Sequence, residues 1–117
     1  MNVSSLDELT RQLREFAAER DWDQFHSPKN LAMALVGEAG ELAAEFQWLT
    51  ESESRAPDES KLARIRAECA DVMLYLLRLT DKLDIDLLDA ARRKIEENRQ
   101  RYPMELARGS AKKYTDL

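Results

Sequence analysis

Two short acidic motifs are the residues of this chain best suited to chemistry. Glu38-Ala-Gly-Glu41 and Glu68-Cys-Ala-Asp71 each place two carboxylates three residues apart, within segments otherwise rich in Ala, Leu and Val. At about 100° per residue, positions three apart lie on the same side of a helix. Because an isolated buried carboxylate is destabilising by several kcal/mol, four of them predict a cation that neutralises their charge.

The ligand type favours a hard divalent cation. Mg²⁺ takes oxygen ligands and commonly shares them with the phosphates of a substrate, and Mn²⁺ accepts a similar set. A ferritin-like di-iron protein would need a Glu-x-x-His pair on each of two helices, whereas His26 is the only histidine of this chain. Acid pairs at this spacing also occur on solvated helix faces. The residues alone therefore leave both a divalent-cation site of an enzyme and solvated helix faces open, with a di-iron oxidase and a non-catalytic helical adaptor or regulatory oligomer as further alternatives.

An all-α fold must position these acids. The chain has 117 residues, which suits a single domain over residues 1–117, and it contains only three Gly and three Pro. Apolar periodicity and capping residues predict four helices. They cover about residues 5–20, 28–48, 59–83 and 86–101, with a polar linker at 50–58 and no assignment for 103–117.

Apolar residues cover most sides of the second and third predicted helices. We therefore expect the second helix to be buried nearly all round. A chain of 117 residues is too short to hide two such helices by itself. This predicts a homo-oligomer.

Charge is distributed unevenly along the chain. Residues 1–91 carry 10 basic and 19 acidic side chains, whereas residues 92–113 carry 8 and 3. The net charge of -5 argues against binding of a nucleic-acid polymer. Lys94, Asn98 and Arg101 form one stripe on the fourth predicted helix, and such donors suit a polyphosphate, although exposed charges are often only solvated.

No targeting or membrane-spanning pattern is present in the sequence. No apolar run approaches the roughly 18 residues that a span requires, and the first residues lack a basic start followed by an apolar stretch. The single cysteine, Cys69, excludes an intramolecular disulfide. We expect a soluble, cytoplasmic protein that does not bind membranes.

Aromatic side chains lie near the acidic motifs. Trp22, Phe25 and His26 occupy the break before the second predicted helix, and Trp48 follows Glu41 by two turns. Such rings can stack on a nucleobase, which contributes about 1–3 kcal/mol per base. A hydrophobic plug at a helix end is the alternative.

Three segments together resemble a known family. FAAERDWDQFHSPKNLAMALVGEAGELAAEFQW, ECADVMLYLL and NRQRYPMELARGSAKKYTDL are similar to the dCTP pyrophosphatase branch of the MazG-like nucleoside triphosphate pyrophosphohydrolases. Gly37 stands where broader MazG proteins carry a further Glu, which fits this branch. The resemblance implies a MazG-like four-helix bundle that assembles as a homotetramer of paired dimers. It also implies Mg²⁺-dependent hydrolysis of dCTP and 5-modified dCTP to the monophosphate and pyrophosphate, in control of the nucleotide pool.

The resemblance also assigns roles to individual residues. The implied metal ligands are Glu38, Glu41, Glu68 and Asp71. The implied nucleotide contacts are Trp22, Asp23, Gln24, Phe25, His26, Trp48 and Tyr75, with Lys94, Asn98 and Arg101 near the phosphates. Arg14 stands at a first-helix position associated with a substrate-contacting histidine. Our hypothesis is that the carboxylates bind one to three Mg²⁺ ions that orient a water for attack at the α-phosphorus, with Glu41 as candidate general base beside Glu38.

Overall fold

Six α-helices make up most of the computed structural model, which describes residues 5–117. The helices are α1 (Leu6–Glu19), α2 (Pro28–Ala44), α3 (Glu51–Arg55), α4 (Glu59–Lys82), α5 (Leu87–Arg101) and α6 (Met104–Ala107), with 3₁₀ turns at Asp23–Phe25 and Tyr114–Asp116. Residues 5–117 contain no strand, so the all-α prediction with four long helices is confirmed. None of the helices in this range is long and apolar enough to cross a membrane.

Side-chain caps start the helices where the sequence predicts them. The Ser5 and Ser27 hydroxyls accept hydrogen bonds from the backbone N–H groups three residues on, at 3.2 Å each. Asp58 and Asp86 do the same for α4 and α5, at 2.7 and 3.0 Å. Such a cap satisfies an N–H group that has no partner inside the helix. Local chemistry therefore fixes these starts.

The end of the second helix and the linker after it differ from the prediction. The second helix ends at Ala44 and not near Trp48, and residues 45–48 form turns. The Glu45 carboxylate contacts Lys61 and Arg64 of α4, at 3.6 and 3.0 Å. These partners are distant in the sequence, so no local signal marks this end. The predicted linker contains α3, which begins with a capping box formed by Thr50 and Glu53.

Residues up to Asp84 form one compact unit in which α2 and α1 both pack on α4. Its core consists of Ala17, Leu31, Ile65 and Leu77, which are at most 9% exposed. The prediction that α2 is buried nearly all round is wrong for the single chain, because Met33 and Val36 are 66% and 67% exposed. One side of α2 packs on α4, and the side that carries Met33 and Val36 is exposed in the single chain.

Truncating the centre of this core tests the packing of α2 on α4. Leu31 is 1% exposed, so Leu31→Ala removes buried apolar surface and leaves a cavity. We expect the free energy of unfolding to fall by about 2–5 kcal/mol in urea titrations. Lys29→Ala, at an exposed position two residues away, is the matched control and should change it by less than about 0.5 kcal/mol. Equal effects of the two substitutions would contradict this packing.

Residues 85–117 form the second unit, with α5, α6 and the C-terminal turn. The Tyr102 and Tyr114 rings meet edge to face at 5.9 Å, and the Arg101 guanidinium lies 4.9 Å from the Tyr114 ring centre. Along α5, the Glu97 carboxylate pairs with Lys94 at 3.3 Å and with Arg101 at 2.6 Å. The C-terminal segment therefore folds back on the end of α5.

Candidate active site

Three of the predicted acids converge between α2 and α4. Glu38 and Glu41 lie one turn apart on α2, and Glu68 lies on α4. Carboxylate oxygens from these three residues all lie within 4.8 Å of one another. The packing of α2 on α4 therefore converts two separate sequence motifs into one cluster.

The carboxylate cluster has the properties of an oxygen-ligand cation site. Glu38 Oε2 and Glu68 Oε2 are buried and have no hydrogen-bond partner among the described residues. Partial burial and the nearby carboxylates of Glu41, Asp71 and Glu68 raise the pKa of Glu38 to about 7. Burial and the Glu41 charge likewise raise the pKa of Glu68. A divalent cation would be coordinated by the unpartnered oxygens and would offset the repulsion between the carboxylates. These residues therefore fit a divalent-cation site.

Asp71 lies beside the carboxylate cluster and borders a pocket. Its charge is close enough to raise the pKa values of both Glu38 and Glu68, but it is not one of the three acids that converge. The pocket has a volume of about 190 Å³. Its lining combines apolar and aromatic side chains with a few polar ones: Leu13, Phe16, Ala17, Trp22, His26, Asp71, Leu74, Tyr75 and Arg78. An acidic centre therefore adjoins an aromatic pocket of the kind that binds small molecules.

Two of the aromatic rings that line the pocket, Trp22 and His26, come from the break after α1. Asp21 takes a left-handed conformation with φ of 53°, which short polar residues tolerate, and it turns the chain out of the helix. The Trp22 ring meets Phe16 at 5.6 Å and His26 at 6.4 Å, edge to face in both cases. Ser27 and Pro28 then begin α2. Local turn and cap chemistry therefore places Trp22 and His26 beside α1 and α4.

Four other predicted contacts have protein partners or high exposure. Asp23 binds Arg78 at 2.7 Å and also Lys82, and the Lys82 ammonium is the main cause of its lowered pKa. Gln24 donates to Asp21 at 3.0 Å, and Phe25 is 59% exposed with its carbonyl accepting from Asn30. Trp48 is 87% exposed in the turn after α2. Within the first unit, only Trp22, His26 and Tyr75 of the predicted base contacts line the pocket.

Arg14 is engaged in an ion pair across the α1–α4 contact. Its guanidinium donates to both carboxylate oxygens of Asp81, at 2.6 and 3.1 Å, and this pairing is the main reason why the pKa of Asp81 is lowered. The neighbouring Leu13 lines the pocket. Lys94, Asn98 and Arg101 belong to the second unit, and their role near phosphates stays a prediction.

Sequence reasoning missed Arg78, which lines the pocket and is 5% exposed. Arg78 lies off the acidic face of its helix, so the sequence pattern does not indicate it as an ion-pair partner of the four acids. The spacing Arg78-Leu-Thr-Asp81, an i,i+3 ion pair in an apolar helix, is the signal that could have found it. The apolar periodicity indicates only core positions for Phe16, Leu13 and Leu74.

The raised pKa of Glu38 predicts a pH-dependent stability. Between its ordinary value of 4.5 and about 7, the folded protein holds a proton that the unfolded chain has released. This site therefore makes the metal-free protein less stable as pH rises through that window. His26 acts in the opposite direction because burial lowers its pKa. We expect Glu38→Gln to remove only the first effect, so it should be more stable than wild type at about pH 8 and similar at about pH 5.

Urea unfolding of both proteins in EDTA across this pH range measures the effect. Adding Mg²⁺ or Mn²⁺ at the higher pH should then stabilise the wild type more than the variant, because only the wild type keeps all three carboxylates. A stability difference that does not change with pH would show that Glu38 is not held in a repulsive cluster.

Several known proteins are similar to this chain in sequence and in fold. The mouse and human proteins named dCTP pyrophosphatase 1 (Mus musculus, Homo sapiens) are 50% and 48% identical over 115 residues, which span 97% of this chain and 68% of theirs. The crystal structure of a pyrophosphatase from Archaeoglobus fulgidus DSM 4304 superposes with a TM-score of 0.80 at 38% identity, covering 88% of this chain and 96% of that one. The MazG-like family model matches residues 34–117. The resemblance predicted from the sequence is thereby confirmed, and the chain belongs to the MazG-like family.

Proposed function

We propose that this protein is a dCTP pyrophosphohydrolase that requires a divalent cation. The observation that carries this proposal is the carboxylate cluster of Glu38, Glu41 and Glu68 beside the aromatic pocket. The relatives named dCTP pyrophosphatase 1 and the pyrophosphatase fold of the structural neighbour support it. The proposed products are dCMP and pyrophosphate, and the proposed role is control of the nucleotide pool in the cytoplasm, which is consistent with this activity.

Glu38, Glu41 and Glu68 are the proposed ligands of the cation, with Asp71 as a fourth. When bound, Mg²⁺ or Mn²⁺ would neutralise phosphate charge and lower the pKa of a coordinated water. Glu41 is the exposed member of the cluster, so its carboxylate is the one best placed to accept a proton from an attacking water. Glu38 borders it and has a pKa of about 7, so this pair can hold a proton near neutral pH.

The aromatic pocket is the proposed site of the base. Trp22, Phe16 and Tyr75 offer ring surfaces, and Leu13 and Leu74 add apolar surface to the lining. Stacking on such rings is tolerant of base identity. Preference for cytosine must therefore come from the polar groups of the lining. Trp48 is a further proposed contact, and its high exposure leaves it available to a ligand.

The basic stripe of α5 is proposed to contact the triphosphate. Lys94, Asn98 and Arg101 are all exposed, and Lys94 and Arg101 share the single carboxylate of Glu97. Two cations on one carboxylate retain a net positive charge, which suits an anionic ligand. The net charge of -5 is then compatible with a polyphosphate, because a cation bound by Glu38, Glu41, Glu68 and Asp71 would stand between those acids and the phosphates.

A homotetramer built as a dimer of dimers is the proposed assembly. Large apolar side chains of α2 and α4 are exposed in the single chain, with Met33 and Val36 at 66% and 67% and Leu62 and Met73 at 42% and 41%. Large apolar side chains exposed on both helices support an interface with other copies of the chain. Sedimentation equilibrium should give four times the mass of one chain. The mass of a single chain would contradict this assembly.

A substrate panel tests the proposed activity. Pyrophosphate release is measured with canonical and 5-modified deoxynucleoside and nucleoside triphosphates, each with and without Mg²⁺. We expect release from dCTP and 5-methyl-dCTP to exceed that from purine triphosphates, and to stop when EDTA is added. Equal release from all triphosphates would contradict a cytosine-selective pocket, and absence of release would favour a non-catalytic helical adaptor.

A further inference from the structure

The buried guanidinium of Arg78 holds three groups from two separate parts of the chain. Its Nε donates to His26 Nδ1 at 3.2 Å, one terminal nitrogen donates to Asp23 at 2.7 Å, and the other donates to Asp81 at 3.3 Å. Arg78 is only 5% exposed, and the two carboxylates offset its charge. Because the guanidinium is planar and its donors are fixed in direction, these bonds set the position of the His26 ring against α4.

The hydrogen bond from Arg78 determines which nitrogen of His26 carries the proton. A guanidinium can only donate, so Nδ1 must accept with its lone pair. A neutral imidazole has one donor and one acceptor, which places the proton on Nε2. Burial, with the positive charges of Arg78 and Lys82, lowers the pKa of His26 and favours this neutral form.

The Nε2–H group is the nitrogen that remains for a ligand. His26 lines the pocket together with Trp22 and Tyr75, and no described residue accepts a hydrogen bond from His26 Nε2. A donor in an otherwise aromatic and apolar wall selects a ligand that offers an acceptor at that place. Cytosine carries two neighbouring acceptors, N3 and O2, on its pairing edge.

We propose that Arg78 is a positioning residue that locks His26 in the Nε2–H tautomer, so that His26 donates to the N3–O2 edge of the cytosine base. The part that concerns the base rests on the proposed function, whereas the tautomer does not. Arg78 itself need not touch the substrate.

Because the chain has one histidine, long-range ¹H–¹⁵N NMR of the imidazole reads the tautomer directly and without substrate. We expect an unprotonated Nδ1 and a protonated Nε2 in the wild type. Arg78→Lys, which keeps the charge but loses the directed Nε donor, should give a mixture of tautomers. Lys82→Met is the matched control, because Lys82 also pairs with Asp23 but does not bind His26. It should leave the tautomer unchanged.

Steady-state kinetics link the tautomer to the base. Arg78→Lys should raise KM for dCTP about 10-fold while kcat stays within about 2-fold, because a hydrogen bond to the base is weakened and the reacting phosphate is untouched. His26→Gln, whose amide N–H lies near the Nε2 position, should retain more dCTP affinity than His26→Asn, whose amide lies near Nδ1. These two variants keep the test decisive if Arg78→Lys does not fold.

Several results would overturn this proposal. An Nδ1–H tautomer in the wild type removes its basis, and a tautomer mixture in Lys82→Met removes the specific role of Arg78. If Arg78→Lys gives a mixture of tautomers but leaves KM unchanged, the tautomer does not affect binding of the base. Equal KM values for His26→Gln and His26→Asn would contradict the contact with the base in the same way. Absence of any dCTP turnover with the expected tautomer intact refutes the proposed function and the base contact, and leaves the locking role of Arg78 standing.

Discussion

Replacing Glu38 by Gln is expected to lower kcat for dCTP at least about 100-fold, because one ligand of the proposed cation is lost from the site where the phosphate reacts. Glu68→Gln should have a similar effect from the other helix, since the two carboxylates and Glu41 lie within 4.8 Å of one another. Helicity should be retained, because neither side chain has a hydrogen-bond partner for its buried oxygen. Pyrophosphate release at saturating Mg²⁺ measures the change.

Glu45→Gln is the matched control for this prediction. Glu45 follows α2 directly, but its carboxylate contacts Lys61 and Arg64 and does not belong to the cluster. We expect its kcat to stay within about 3-fold of wild type, as is usual for a partly exposed ion pair away from the reacting group. Retained activity in both Glu38→Gln and Glu68→Gln would show that the cluster does not hold the metal of the reaction.

Replacing Trp22 by Ala is expected to raise KM for dCTP about 10-fold or more, since base–aromatic stacking contributes about 1–3 kcal/mol. Trp22 lines the pocket and makes edge contacts with Phe16 and His26, so its loss also removes the support of the His26 ring. The cation-binding carboxylates are untouched, and kcat should therefore change much less than KM. Initial rates across a range of dCTP concentrations separate the two constants.

Trp22→Phe provides the comparison, because it keeps a ring in the same place. Most of the dCTP affinity should return in this variant. Ala and Phe variants with the same KM as wild type would place the base elsewhere, and Trp48, which is 87% exposed, would then be the next candidate.

The sequence predicts the helices of this protein well where their ends are local. Ser5, Ser27, Asp58 and Asp86 cap the four long helices, and each cap is made with a residue only three positions away. The second helix ends next to Glu45, whose contacts with Lys61 and Arg64 span 16 to 19 residues along the chain, and no short sequence window contains them. Which side of the second helix is exposed also depends on how the helices pack together, so this exposure is a tertiary property as well.

The candidate site divides in the same way. Two acid pairs in apolar helices predict a cluster because helical spacing and the free energy of burying charge are general. Arg78 could not be placed, since its partners Asp23 and His26 lie more than 50 residues earlier in the chain. The ion pair between Arg14 and Asp81 also depends on tertiary packing. It engages an arginine for which the sequence predicts contact with the substrate.

Hydrolysis of dCTP in ¹⁸O-labelled water with Mg²⁺ tests whether this protein is a metal-dependent pyrophosphohydrolase. We expect equal amounts of dCMP and pyrophosphate, with the label in the phosphate of dCMP because water attacks the α-phosphorus, and no reaction when EDTA removes the metal. Formation of dCDP and inorganic phosphate, label in the pyrophosphate, or turnover that continues in EDTA would contradict it.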